Sequence, residues 1–271
     1  MNIRDHLPLL EAPESVWEAI EAGLRENNPR AARPRAWVFI FAAAAAVVLL
    51  VAGGEWWFAA RRTGWIETAA SAGITLRIGD IGSVDVRPGT RLRVIADRAD
   101  QHRLQLVRGS IHAKISAPPR LFQVETRSGT AVDLGCEYSM TMDEDGSGIL
   151  HVSAGWVDFE RDGLESLVPA GAMCRIRPGK GADIPYFEDA SVEFGHAVER
   201  GDIEFLIRNA RVRDTLTLWH LLSRVPANSR ARVYDRIAAL APIPPAISGD
   251  RVLSLDPEAL QRLREELAWK W

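Results

Sequence analysis

The residues able to do acid–base, metal or nucleophilic chemistry are few and scattered. Six histidines occur, His6, His102, His112, His151, His196 and His220, and no two lie four positions apart with a glutamate between them. The helical His-Glu-x-x-His arrangement that holds zinc is therefore absent. His112 and His151 fall in alternating apolar and polar runs and read as strand residues rather than ligands. Asp143-Glu144-Asp145-Gly146-Ser147-Gly148 has the oxygen-rich look of a calcium loop, but Ala154 stands where the closing bidentate glutamate is required, so the segment reads as a hairpin turn. Pro178-Gly179-Lys180-Gly181 lacks the leading glycine and the Ser/Thr of a phosphate loop and reads as a linker. No Gly-x-Ser-x-Gly nucleophile turn occurs. The expectation is a protein that is not an enzyme and needs no metal or cofactor.

The two cysteines, Cys136 and Cys174, each follow a glycine-bearing turn. In an oxidising compartment they form a candidate disulfide, closing a loop of about 38 residues and worth roughly 4 kcal/mol on the chain-entropy account. Two separately buried thiols are the alternative.

The elements that must carry these residues begin with one long apolar run. From Ala36 to Gly54 no charged residue occurs, and at 1.5 Å per residue such a run spans roughly 28 Å, close to the thickness of a bilayer core. Arg30, Arg33 and Arg35 crowd its start, and Trp56-Trp57 follow it as an interfacial aromatic belt would. Some 35 residues precede the run, more than a cleaved signal peptide carries, so a signal-anchor with a cytoplasmic amino terminus is expected. In the preceding segment Val16, Trp17, Ile20 and Leu24 share one helical face, a candidate docking face for a cytoplasmic partner. With 33 Lys+Arg against 36 Asp+Glu and a pI near 6.1, no global field draws the chain to nucleic acid.

Beyond the span the pattern becomes period two. Runs such as Ser83-Val84-Asp85-Val86, Leu104-Gln105-Leu106-Val107, Ile111-His112-Ala113-Lys114-Ile115 and Tyr138-Ser139-Met140-Thr141-Met142 are punctuated by Pro88-Gly89, Gly109, Ser128-Gly129, Asp145-Gly146 and Asp162-Gly163. Short strands at that spacing predict a mainly β domain of stacked strands, sandwich or solenoid in type. Past Gly181 the period turns helical. Asp189, Asp202, Asp214 and Asn228 are candidate caps, and Asp256-Pro257-Glu258 starts a helix bearing Leu260, Leu263, Leu267 and Trp271. The expected organisation is an arm over 1–35, a transmembrane helix over 36–58, a tether over 59–72, a β domain over 73–178 and a helical region over 182–271.

The β segment resembles the FecR family, bacterial envelope regulators in which one span joins a cytoplasmic anti-sigma segment to a periplasmic β domain. Gly82-Ser83-Val84-Asp85-Val86 and Gly89-Thr90-Arg91-Leu92 are similar to its opening strands, and Leu104 to Ile111 to its core motif around Gly109. Phe122 and Val124 match "r-p-F-x-V-x-t"; Gly135 and Tyr138 match "l-G-T-x-F", with Cys136 for the usual Thr and Tyr138 for Phe. Gly155 and Val157 match "G-x-V", and Gly171 the closing "l-x-a-G". The resemblance implies signalling by protein–protein contact at a bacterial inner membrane, with the bulk of the chain periplasmic. It further implies envelope protein partners and a cytoplasmic extracytoplasmic-function sigma factor. A membrane-tethered scaffold with no sigma-factor role is the alternative. The helical tail around Leu218-Trp219-His220-Leu221-Leu222 stands where transporter-coupled members carry an α/β module, so iron signalling does not carry over.

Overall fold

The computed structural model describes residues 64–271. The arm, its face of Val16, Trp17, Ile20 and Leu24, and the apolar run all lie outside the described residues. Among those described, no helix is long and apolar enough to cross a membrane.

Fourteen strands form one connected sheet, organised around β5 (Gln101–Ile115), which is fifteen residues long. Its first half lies between β4 (Arg91–Arg98), antiparallel, and β6 (Phe122–Thr126), parallel. Its second half lies between β3 (Gly82–Val86) and β8 (Glu137–Met142), both antiparallel. From the first half the sheet runs outward through β7 (Gly129–Asp133), β10 (Trp156–Arg161) and β11 (Leu164–Pro169), with β1 (Trp65–Glu67) beyond β4. From the second half it runs through β9 (Gly148–Ala154) and β12 (Ala172–Arg177) to β13 (Gly181–Ala182) and β14 (Tyr186–Phe187), with β2 (Ile74–Ile78) beyond β3. The two wings curl toward each other into a nearly closed, barrel-like β domain. The mainly β domain is as expected, but in place of a sandwich or a solenoid it is one curled sheet; a solenoid would stack parallel strands, and β5–β6 is the one parallel pairing among the described strands.

Burial along β5 shows how one strand serves both wings. His102, Leu104 and Leu106 point inward in the first half, whereas Ile111, Ala113 and Ile115 do so in the second. Side chains alternate strictly along a regular strand, so the change of parity marks a bulge, where Arg91 pairs with Arg108 but Leu92 with Leu106, together with its local twist. That twist is centred on Gly109, whose φ of 91° lies in the left-handed region. Gly109 is thus a bend inside a continuous strand and not the turn its sequence context predicts. A Cβ there would sit 2.4 Å from both Cα and Oγ1 of Thr90. Thr90 cannot retreat: it is fully buried, its hydroxyl accepts from Ser110 N–H at 3.0 Å, and its own N–H donates to Thr68 Oγ1 at 2.8 Å.

Thr68 and β1 belong to the stretch expected to be a free tether. Edge pairing of Trp65, Ile66 and Glu67 with Arg93, Leu92 and Arg91 draws that stretch into the sheet. β13 and β14 likewise extend the β domain beyond residue 178.

Six helices follow: α1 (Val192–Arg200), α2 (Ile203–Asn209), α3 (Thr215–Arg224), α4 (Ala227–Leu240), α5 (Gly249–Leu253) and α6 (Pro257–Ala268). Asp202 and Asp256 cap α2 and α6 through their carboxylates, as expected. Ser191 rather than Asp189 caps α1, and α4 starts at Ala227, one residue before Asn228. Asp214 occupies the cap of α3, but its carboxylate turns back to the Arg211 N–H and guanidinium. Leu206, Leu218, Leu222, Val233, Ile237, Val252, Leu263 and Leu267 form a second core, separate from that of the β domain. Leu216 is buried in the β core, and Trp271 packs against both.

Gly109→Ala should destabilise the chain by at least about 2 kcal/mol, combining left-handed strain with the overlap on Thr90. Gly89→Ala, also left-handed but facing open space, should cost about 1 kcal/mol. Urea unfolding of both variants measures the difference; equal costs would mean that the approach to Thr90 is not a constraint.

Candidate functional site

The residues that match the FecR motifs are placed as determinants of the fold. Phe122, Val124, Tyr138 and Val157 are all fully buried in the β core. Gly155, with φ 71°, brings its Cα side so close to Gly135 that a Cβ would lie 2.0 Å from the Gly135 carbonyl oxygen. Gly171 takes φ 77° in the turn before β12. Gly135 also lines a shallow surface cleft beside Lys114 and Glu137.

Cys136 and Cys174 are both free and buried, so the candidate disulfide is not formed. The sheet register explains why. Cys174 pairs with Leu150, and Leu150 with Met140. Cys136, four residues along the chain from Met140, is thus displaced by roughly 10 Å across the sheet and 13 Å along it, far beyond disulfide reach. Its thiol instead donates to the Asp133 carboxylate, which also accepts from Gly135 N–H at 2.7 Å. Cys136 thereby supplies the donor that a threonine would supply at the same motif position. Burial, with Asp133 adding to it, pushes the Cys136 thiol up, and burial pushes Cys174 up to about 12. Both thiols should resist alkylation until the chain unfolds, and reductant should leave the urea midpoint unchanged. Rapid labelling of native protein would contradict this placement.

The most elaborated polar site lies where the two wings meet, at the seam opposite β5. β11 and β13 form no ladder there; side chains join them. Ser166 Oγ, from β11, donates toward the carbonyls of Ala182 and Asp183, each at 3.2 Å. Arg224, at the end of α3, donates to the carbonyls of Glu165 at 3.0 Å and Ala182 at 3.1 Å and to Ser166 Oγ at 2.5 Å. His220, one turn earlier, accepts the Leu167 N–H on Nε2 at 3.0 Å. Its Nδ1 lies 3.0 Å from the Leu216 carbonyl, so Nδ1 carries the proton. Thr217 Oγ1 donates to the Pro185 carbonyl at 2.9 Å. Around this polar row the rings of Trp156 and Trp219 flank Trp271 at 5.9 and 6.4 Å, and Trp271 Nε1 donates to Thr215 Oγ1 at 3.0 Å. The helical tail is therefore docked on the β domain through α3.

His220 is 2 % exposed and its proton affinity is lowered to about 3, by burial first and by the neighbouring Arg224 charge second. The geometry requires this, because a second proton on Nε2 would face the Leu167 N–H. Buried His102 Nδ1 lies 2.8 Å from Asp97; nearer the surface, His112 Nε2 meets Glu137 at 3.1 Å and His151 Nδ1 meets Glu188 at 3.0 Å. Both sit on strands, as their sequence context indicates. The Asp143 to Gly148 segment is the hairpin turn between β8 and β9, with Asp145 accepting from Ser147 N–H at 2.7 Å.

Sequence reasoning missed Asp158, Glu160 and Glu165, whose carboxylates converge on the outer face of the β10–β11 hairpin. Alternate acidic positions on either side of Asp162-Gly163 were the available signal.

Because the folded His220 titrates well below its ordinary 6.5, the unfolded chain binds more protons there. Stability is complete above pH 6.5 and falls by up to about 1.4 kcal/mol per pH unit below it, down toward pH 3. His220→Gln keeps an acceptor for Leu167 and does not titrate. At pH 4.5 its acid-induced loss of stability should be smaller than that of the parent chain by roughly 2 to 3 kcal/mol. Urea midpoints at pH 7.5 and 4.5 give the comparison; parallel losses would remove His220 as the cause.

Residues 65–158 match the model of the FecR family, described as FecR protein. No curated protein matches the chain. Two crystal structures of a "putative anti-sigma factor" from Parabacteroides distasonis ATCC 8503 match at 18% identity, covering 51% of this chain and 65% of that one, with a TM-score of 0.41. The chain thus spans slightly under two thirds of that protein's length.

Proposed function

We propose, from the premise that residues 65–158 make this chain a member of the FecR domain family, that it is a non-enzymatic, single-pass signalling protein of the bacterial inner membrane. In this reading the run from Ala36 to Gly54 spans the bilayer. The β domain and its docked helices occupy the periplasm, and the arm over 1–35 presents Val16, Trp17, Ile20 and Leu24 to a cytoplasmic partner, an extracytoplasmic-function sigma factor. The β domain meets an envelope protein on the other side.

The observation that carries the reading is the short distance along the chain between the apolar run and the domain. Gly54 closes the run and β1 begins at Trp65, so only ten residues join them, a short connection for a domain tethered to a membrane. The residue at that margin suits such a position. Trp65 is exposed, and its ring lies under the Arg91 and Arg93 guanidiniums at 4.7 and 4.9 Å. An aromatic ring flanked by cations fits the headgroup zone of an anionic bilayer.

Co-purification from detergent-solubilised membranes tests the proposal. The full chain is compared with one lacking residues 1–28 but keeping the arginines and the apolar run. Recovery of a sigma factor with the intact arm alone is the expected result. Equal recovery of envelope proteins by both forms, with nothing cytoplasmic, would reduce the arm to a topology signal and leave a tethered scaffold.

A further inference from the structure

The β10–β11 hairpin carries an acidic cluster that neither the FecR reading nor the seam uses. Strand alternation sends Val157 and Phe159 into the β core and Asp158 and Glu160 to the opposite face. Glu165 pairs with Glu160 directly across the ladder, and Asp158 lies two residues along β10 from Glu160. One carboxylate oxygen from each of the three lies within 4.8 Å of the other two. Like charges opposite each other in a sheet repel, so the arrangement works against itself unless something positive sits among the three.

The protein supplies only part of that charge. Arg120 Nη1 bonds Glu160 Oε1 at 2.8 Å, while Arg264 of α6 acts on Asp158 through its field. Asp158 is 8 % exposed, and its Oδ1 is buried with no hydrogen-bond partner. Buried carboxylates are otherwise paired, hydrogen-bonded or coordinated to a metal. Asp133, in the same sheet, shows the hydrogen-bonded solution, with Gly135 N–H and the Cys136 thiol as its donors. Asp158 has neither.

We infer that Asp158, Glu160 and Glu165 form a site for one hard, oxygen-seeking divalent cation. Asp158 is the buried ligand at its floor, and the two glutamates close over it from facing strands. The spacing suits the chemistry. Two oxygens at about 2.4 Å on opposite sides of a calcium ion are about 4.8 Å apart, the outer limit found here. An all-carboxylate set selects Ca²⁺ or Mn²⁺ over the softer ions that seek thiolate or imidazole. Glu160 is shared with Arg120, which weakens it as a ligand. The inference does not depend on the membrane or sigma-factor reading.

The test uses the full chain in detergent, stripped with EDTA and titrated at pH 8 with Mn²⁺ followed by electron paramagnetic resonance and with Ca²⁺ followed by calorimetry. One saturable site per chain is expected, with a Kd on the order of 10⁻⁴ M, as for calcium sites of extracellular modules. Asp158→Asn should weaken binding at least tenfold while its melting temperature in EDTA stays level or rises, since the change removes the repulsion and keeps the shape. Arg120→Gln should tighten binding by freeing Glu160. If Asp158→Asn does not fold, Glu165→Gln, an exposed position, carries the same tenfold expectation. No saturable binding by the parent chain at millimolar cation, or undiminished binding by the carboxylate variants, would overturn the site.

Discussion

A single strand shared by the two wings of the sheet governs this molecule. β5 passes from one wing to the other, and the change in parity between Leu106 and Ile111 turns the inward face of the first wing into that of the second. Neighbouring structure answers to that twist. Thr90 packs on Gly109, Thr68 binds Thr90, and β1 is thereby drawn onto the edge beside β4. With a one-residue slip anywhere along β5, His102, Leu104 and Leu106, or else Ile111, Ala113 and Ile115, would face water. The register is set from within the strand and not by its turns.

The opposite side of the barrel is closed by other means. There the strands do not pair, and one face of α3 supplies what a ladder would have supplied: a donor for the Glu165 carbonyl from Arg224 and an acceptor for the Leu167 N–H from His220. Burying these groups without partners would be costly, which is why the imidazole is held neutral and the guanidinium spreads over three acceptors. The helical tail is in this sense the last piece of the β domain, although its own apolar core is separate. Trp271 packs against both cores, so the two do not pack independently.

How far the sequence reveals this differs by element. Tyr138-Ser139-Met140-Thr141-Met142 announces its strand because alternation is local, and each of Tyr138, Met140 and Met142 is buried. Asp256-Pro257 announces its helix for the same reason, since capping is settled within four residues. Gly109 misleads: a glycine between two apolar runs reads equally as a turn or as a bend, and only Thr90, nineteen residues upstream, decides between them. Trp65 to Thr68 look featureless because edge pairing needs little pattern. The free state of Cys136 and Cys174 depends on a register across three strands, which no spacing encodes. His220 and Arg224 sit one turn apart on a helix, but their partners across the seam lie more than forty residues away, so their joint role appears only once the wings have curled together.

The seam also bears on the edges that the sheet leaves open. β11 ends one wing, and the groups of Glu165 and Leu167 that face away from β10 are those a further strand would seize. By occupying both, α3 acts as a guard against strand addition from a second molecule. Without α3 those two backbone groups would stand open at the edge of β11. Docking of the tail therefore closes an edge of the sheet as well as adding to its stability.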